Sequence, residues 1–576
     1  MTMNMKQSIA QLICQAMERC YPAAGGFPNG QALSGYLEVP PEKDMGDYAF
    51  PCFRLSKALR QGPSQIAGTL AAAISAPDLC EARPMGGYLN FYFNRANFAR
   101  QTLYEVLSRG DAYGGSDEGR GKTICIDFSS INIAKRFHIG HLSTTMIGHS
   151  LQRIYRFLGY HTISINHLGD WGTQFGKLIS AYRRWGDRDQ VERDGVEALT
   201  QLYVRFHNEA ERDPSLENEG RAWFKKIEDG DPEAVEIFRW FKALTLRDTQ
   251  RVYDMLGVTF DSYAGEAFYN DKMDRVIQEL TAKNLLTVSD GASIVDLEDS
   301  GMPPCLILKK DGATLYATRD IAAALYRMDA YRFDKCLYVV AYQQDLHFRQ
   351  WFKVVEKMGY AWSTNLIHVA FGMISYEGQT LATRKGHVVY LEDLLRRARG
   401  RALEIIREKS PDLENPEEVA AQVGIGAVIY ADLQNNRIKD IDFWWDRALN
   451  FDGETGPYVQ YTHARCCSVL RKAASPDGAP PEPDYSGLSD DHAQEVLRLL
   501  SRFPEAVKEA ADRYEPSIIT RALTEIAKNY NKFYYEHRIL DAEPAVREAR
   551  LALTRAVKQT LRIALFLIGM GAPERM

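Results

Sequence analysis

Apolar residues at Ile9, Leu12, Ile13 and Met17 open the chain with the three-and-four spacing of one helix face. The next stretch, "GYLEVPPEKDMGDYAFPCFRLSKALRQGPSQIAGTLAAAI", predicts a strand, a loop and then helices, and "GGYLNFYFN" alternates as a strand does. Residues 1 to about 118 therefore read as an α+β unit, closed by a Gly- and Asp-rich run from Arg109 to Lys122 that predicts a linker. Beyond it "TICIDFSS" predicts a buried strand. From His138 the apolar residues Leu142, Met146, Ile147, Leu151, Ile154 and Leu158 recur on one side of a helix, and "HTISINHLGDWG" predicts a second strand ending in turn residues.

Phe175 to about Asn284 reads as charged helix, with short strands continuing to about Leu308. Then come "ATLYATRDIAAALYRM" leading into a helix, a strand in "KCLYVVAYQQDLHF", the helix "RQWFKVVEKMGY" and a strand in "LIHVAFGMIS". Strand–helix units on both sides of a helical stretch predict a doubly wound parallel sheet split by an insertion. From Leu391 the pattern is almost all helix, broken by a surface loop from Ala474 to Gly487.

Composition narrows the reading. A chain of 576 residues, 45% hydrophobic and 25% charged, predicts several globular domains. Its apolar runs stay short of the roughly 20 residues that span a bilayer, and its N-terminus lacks the apolar core of a signal peptide, so a cytoplasmic protein without membrane contact is expected. The nine cysteines, scattered and odd in number, argue against a disulfide framework, and the adjacent Cys466 and Cys467 read as buried small hydrophobes. The formal net charge of −6 leaves nucleic-acid contact to local basic patches.

The candidate chemistry centres on "NIAKRFHIGHL", Asn132 to Leu142. A metal site would need a third ligand and a nearby base, and the H-E-x-x-H pattern is absent, so no metal is assigned. A loop running from a buried strand into a helix presents free backbone N–H groups to an anion. There Gly140 allows close approach of a flat group, His138 and His141 can donate hydrogen bonds, and Lys135 adds a cation. The plain alternative is two satisfied histidines at a helix start. "GSDEGRGKT" imitates a phosphate-binding P-loop but has five residues between its glycines and precedes a strand, and no dinucleotide fingerprint follows a strand.

"HIGH" after a strand resembles the signature of class I aminoacyl-tRNA synthetases. "DFSSINIAKRFHIGHL", "LGYHTISINHLGDWGTQFGKLI", "LYATRDIA", "QQDLHF", "FDGETGPYVQYTHAR" and the terminal "PERM" together resemble the arginyl-tRNA synthetase family, in that family's order and over nearly the whole chain. The resemblance implies a multidomain α/β protein. Residues 1–118 would be an α+β domain on the tRNA elbow, and 119–395 a split Rossmann catalytic domain with a helical insertion at about 178–300. Residues 396–455 would form a helical connection and 456–576 an all-α anticodon-binding bundle. It implies that arginine is activated by ATP, with Mg2+ and no tightly bound prosthetic group, and transferred to tRNA(Arg) by a monomer that requires tRNA for activation.

By the same resemblance Lys135, His138, Gly140 and His141 would serve ATP phosphates, adenine and transition-state charge, and Asn132 and Gln344 would hold arginine's α-amino and carboxylate groups. A guanidinium wants carboxylates, for which Asp127 and Asp320 are the candidates, with Tyr316 adding a hydroxyl or a ring face. The second class I signature falls on "GQTLATRKGHV", where Thr380 and Ala382 replace the expected lysine and serine, while Thr383, Arg384, Lys385 and Gly386 keep the tail and offer cations to phosphates. The chain also departs at Asp127, where glutamate is frequent, at Arg136, where proline is common, and at Ser143, where arginine is frequent. In "AKNYNKFYYEHRI", Lys528, Lys532, Tyr535 and Arg538 are candidates for tRNA, with Arg465, although several aromatics there must be core at helical spacing. A catalytically silent tRNA-binding paralogue and a nucleotidyl transferase of the same fold are the alternatives.

Overall fold

The structure is a computed structural model describing residues 5–22, 28–310, 314–380, 389–450, 453–473 and 481–576. The chain divides into two compact units, one of residues 114–467, 503–527 and 561–576, the other of residues 1–113, 468–502 and 528–560.

The first unit is built on a four-stranded parallel sheet. Strand β1 (Thr123–Asp127) leads through a loop and a 3-10 turn, Ile139–His141, into helix α1 (Leu142–Phe157) and returns as β2 (His161–Ile165). After a long excursion that includes α2 (Pro232–Leu256) and α3 (Met273–Ala282), the chain re-enters through α4 (Tyr316–Tyr331), β3 (Lys335–Tyr338), α5 (Asp345–Lys357) and β4 (Leu366–His368). A further helix, α6 (Leu391–Lys409), follows. The strand order is β4-β3-β1-β2, with Asp127 aligned to Ile165 on one side and Tyr338 on the other. The order reverses beside β1, so the loops leaving β1 and β3 form the crevice where open α/β sheets bind ligands. Ile124, Cys125 and Ile126 are fully buried, as a central parallel strand requires.

Below the sheet, α3, α4 and α5 bring Val276, Leu280, Ile321, Leu325, Trp351 and Val354 into one apolar core with Cys125, Ile165 and Cys336. Helix α3 lies within the stretch expected to be the insertion, yet it packs here. Helix α1 is more deeply enclosed than its apolar stripe implies: all six apolar positions are buried, and so are Ser143, Thr144, Thr145, His149, Ser150 and Gln152. It passes so close over Phe128 that a Cβ at Gly148 would overlap the ring. The excursion after β2 carries helices Thr173–Trp185, Val196–Ala210 and Ser215–Glu228, and an antiparallel sheet of Thr287–Ser289, Ala292–Val295 and Cys305–Leu308.

In the second unit the helix Met5–Cys20 buries Ile9, Ile13 and Met17 and half-buries Leu12. An antiparallel sheet orders Tyr48–Pro51, Tyr88–Phe93 and Cys80–Met85, the last two joined by a hairpin in which Gly86 has φ +55. The segment expected to be a linker is packed rather than loose. Tyr113 is buried with its hydroxyl donating to the Leu500 carbonyl at 2.6 Å, and within the first unit a Cβ at Gly119 would overlap Tyr160. Cys466 and Cys467 are buried, as expected of small apolar side chains. No described helix is long and apolar enough to cross a membrane.

Candidate active site

Between β1 and the 3-10 turn the backbone is forced into an unusual path. Ser129 (φ 70), Ser130 (φ 45) and Ala134 (φ 61) all adopt left-handed conformations that L side chains disfavour, each costing on the order of 1–3 kcal/mol. Neighbouring groups hold them there. Thr144 Oγ1 accepts from Ser129 N at 3.0 Å, Ser129 Oγ lies 2.7 Å from Tyr253 Oη, and Thr245 Oγ1 of α2 accepts from Ala134 N at 3.1 Å. Asn166 Nδ2 donates to the same Tyr253 hydroxyl at 2.8 Å. Hydroxyls from α1 and α2 thus take up backbone and side-chain polarity that the loop cannot satisfy by itself.

The loop delivers the histidines. Their ring centroids are 4.0 Å apart, and His141 stacks on the buried Phe137 at 5.1 Å. His138 Nδ1 accepts from Gly140 N at 3.1 Å, and His141 Nδ1 accepts from His138 N at 3.3 Å, a reciprocal cap on the 3-10 turn. Gly140 N donates to His138 Nδ1, so the proton of that neutral ring sits on Nε2, whereas His141 Nδ1 lies 3.3 Å from both the N and the O of His138 and its contact is met by either tautomer. Burial, with Lys135 adding repulsion, pushes His138 down to about 4, and burial together with His138 pushes His141 down to about 3. Both rings are neutral donors at pH 7. Helix α1 begins only at Leu142, one turn later than the apolar periodicity implies. Gly140 is half-buried in the turn and Lys135 is exposed on the approach to it.

Asp127 is placed differently from a carboxylate open to a ligand. Its Oδ2 accepts from Arg327 Nη2 at 2.7 Å and its Oδ1 from Ser130 Oγ at 2.9 Å, with both charged side chains buried. The guanidinium it meets belongs to the chain itself. Burial lowers the proton affinity of Arg327, and Asp127 with the neighbouring groups outweighs it, holding the guanidinium above its ordinary value.

Tyr316 and Asp320 sit one turn apart on α4, Tyr316 largely exposed. Asp320 Oδ2 lies 2.6 Å from His347 Nε2. Gln344 is exposed in the 3-10 turn Tyr342–Gln344 that opens α5, and Asn132 is exposed with its side-chain Oδ1 against Gly169, where a Cβ would overlap it. Sequence reading missed Glu266, which no motif marks. Burial pushes its carboxyl up to about 7, Asp170 and Asp320 adding repulsion while Arg319, at 3.8 Å, opposes it. Asp170 is fully buried against Lys242 at 2.6 Å. Glu266 and Asp320 thus share a carboxylate-rich field of the kind that attracts a cation.

Thr383, Arg384 and Lys385, with Ala382 and Gly386, lie outside the described residues, as does the side chain of Thr380. On the far side of that segment Val389 O accepts from Ile139 N, and Leu391 N donates to Phe137 O, both at 2.9 Å. Ser143 donates to the buried Asp432 at 2.5 Å, and burial pushes that carboxyl up to about 7. Among the tRNA candidates, Lys532, Tyr535 and Arg538 are exposed and Lys528 is half-buried, whereas Tyr530 and Phe533 are fully buried core. Arg465, which belongs to the other compact unit, lies 5.0 Å over the Tyr461 ring. No group of three or more potential metal ligands occurs among the described residues.

Three family models match the chain: "tRNA synthetases class I (R), catalytic domain" over residues 102–445, "DALR anticodon binding domain" over 459–576, and "Arginyl tRNA synthetase N terminal domain" over 5–93. An arginine–tRNA ligase of Alkaliphilus metalliredigens is 54% identical over 574 residues, 100% of each chain. One of Clostridioides difficile is 53% identical over 95% of this chain and 96% of its own. Among solved structures, Thermus thermophilus arginyl-tRNA synthetase superposes with a TM-score of 0.81 at 26% identity, over 99% of this chain and 100% of that one.

Proposed function

The chain belongs to the arginyl-tRNA synthetase family, and from that premise we infer how its site performs the ATP-dependent ligation of arginine to tRNA. A carboxylate oxygen of arginine attacks the α-phosphorus of ATP, the bond to the bridging oxygen breaks, and pyrophosphate leaves. The 2′-hydroxyl at the tRNA 3′ end then attacks the arginyl carbonyl, and AMP leaves. The observation that carries the site assignment is the pair of neutral histidines whose Nδ1 atoms are consumed by the turn's own backbone. The Nε2–H that the cap fixes on His138, and that the contacts of His141 allow, remains to meet charge growing on the phosphate oxygens. Gly140 gives room for adenine, and Lys135, Thr383, Arg384 and Lys385 supply further phosphate contacts.

Asp320, Tyr316 and Glu266 form the guanidinium side of the arginine pocket, and Asn132 and Gln344 the α-amino and carboxylate side. The Asp127–Arg327 pair supports a different role for Asp127, that of holding the floor of the site. ATP enters as its Mg2+ complex, since Mg2+ is ordinarily held by substrate phosphates and water with few protein ligands. Lys528, Lys532, Tyr535, Arg538 and Arg465 contact tRNA(Arg). The enzyme acts as a cytoplasmic monomer, and light scattering of the purified chain tests its mass.

The decisive experiment is ATP–pyrophosphate exchange with each amino acid in turn, with and without total tRNA. Exchange with arginine alone, dependent on tRNA and lost in His138→Asn and His141→Asn, is the expected result. Absence of exchange while tRNA is still bound would instead favour a silent tRNA-binding paralogue, with Thr380 and Ala382 the first suspects.

A further inference from the structure

We infer that Arg136 is a positioning residue for ATP, fixing the His138–His141 turn through one guanidinium that meets three side chains from two helices, the Val196–Ala210 helix and α6 with its N-cap. This rests on the reading of the two histidines as phosphate ligands. Arg136 Nη1 lies 3.1 Å from Glu197 Oε2 at the start of the helix Val196–Ala210. Its Nη2 lies 3.5 Å from Asp393 Oδ2 in the first turn of α6. Its guanidinium carbon is 3.5 Å from the centroid of the Tyr390 ring. Tyr390 pairs by a β-bridge with His138, between the two backbone hydrogen bonds that join Phe137 and Ile139 to Leu391 and Val389.

The geometry separates two jobs. Backbone pairing with residues 389–391 sets the register of the turn, and the buried Phe137 and Ile139 seat it in the core. The planar fork of Arg136 adds an orientational constraint from the solvent side, because stacking and two ion pairs persist together only while the turn keeps one orientation. Arg136 also lines a cavity of about 330 Å³ with Lys135, Glu197, Arg251, Tyr390 and Glu392, in which its charge already faces carboxylates. A direct phosphate contact would have to break those pairs. Proline, the residue that the family resemblance leads one to expect at this place, has no side chain able to make the clamp, so the device belongs to chains that carry arginine here.

The test uses the full-length protein with saturating tRNA. In pyrophosphate exchange, R136A lowers kcat/KM for ATP by roughly 10- to 100-fold, the range in which small misplacements of reacting groups are felt. The KM for arginine stays within about twofold, as does the amplitude of tRNA binding. R136K restores little, because an ammonium cannot stack and fork together. D393A reproduces part of the loss in the wild-type background and adds little in R136A, the non-additivity of one shared clamp. ATP parameters unchanged in R136A would overturn the proposal. So would an equal rise in both KM values together with a lowered thermal midpoint, which marks a merely structural residue. A full loss in R136A with D393A and E197A both silent would also overturn it, because it would point to direct phosphate contact.

Discussion

Replacing Asp127 by asparagine separates two roles that one carboxylate could play. The side chain of Arg327 is 1% exposed and that of Asp127 is 7% exposed, so their 2.7 Å contact is shielded from water. Removing one partner of such a pair costs about 3–5 kcal/mol, because the other charge stays buried without an anion. Here the low end applies, about 3 kcal/mol, since asparagine keeps the oxygen that accepts from Ser130. Little else can compensate. Among the described residues Arg327 Nε and Nη1 have no hydrogen-bond partner, His167 is 3.4 Å from Nη2, and the Tyr338 ring is 5.3 Å away. A chain of this size need not unfold in one step, so the readout should be local. Hydrogen exchange of the amides in β1 and α4 should accelerate by about two powers of ten in D127N. D127N/R327M should recover most of the protection, as replacing both partners of a buried pair often does. Unchanged exchange in D127N accompanied by a steep rise in the KM for arginine would refute the reasoning, and Asp127 would then be a substrate ligand.

Three further outcomes follow from the same geometry. Nitrogen-15 spectra of labelled histidine should show His138 as the Nε2–H tautomer, with both His138 and His141 neutral down to about pH 5. Their lowered pKa values make them a stabilising contribution that is complete above about 6.5 and lost as pH falls toward 4, so a midpoint near 6.5 for either ring would contradict the cap. Arginine binding at pH 7 should release protons, because a guanidinium beside Glu266 pulls down a carboxyl now held near 7; calorimetry in buffers of different ionisation heat should show the release in wild type and lose it in E266Q. Asp432, raised from 3.8 to about 7, favours the folded state at acid pH and loses that contribution as pH rises to 7. The stability advantage of D432N should therefore widen between about pH 4 and 7, by up to about 1.4 kcal/mol per unit, and stay constant above.

Periodicity made the elements legible because burial selects residues locally. Leu142, Met146, Leu151 and Ile154 had to face a core whatever that core was, and the helical spacing of Tyr530, Phe533 and Tyr535 required that some be buried. The spacing could not say which, and the structure buries the first two and exposes the third. What stayed hidden depends on partners far along the chain. Ser143 and Thr144 look like surface residues of an amphipathic helix until Asp432 and the Val339 carbonyl take their hydroxyls. Asp127 reads as a free acid at a strand end because Arg327 lies 200 residues away. Glu266 stands in a turn with no motif, and its altered affinity for protons arises only when folding surrounds it with Asp170 and Asp320.

The histidine pair shows why a short motif carried so much. Two imidazolium ions with centroids 4.0 Å apart would repel by about 4 kcal/mol at an effective dielectric constant of 20, so a charged pair would strain the turn. Cations would also grip the triphosphate before and after reaction alike, and uniform binding of that kind does not speed the chemical step. A neutral Nε2–H donor fixed by its own backbone cap, as on His138, gains most where negative charge increases, during the in-line displacement at phosphorus. The spacing His-x-Gly-His meets both demands at once. It lets each Nδ1 reach a backbone N–H within the same 3-10 turn, and it leaves the space beside Gly140 open. A histidine pair at the i, i+4 spacing of a regular helix could not close that reciprocal cap, and its protonation would be set by solvent instead of by the fold.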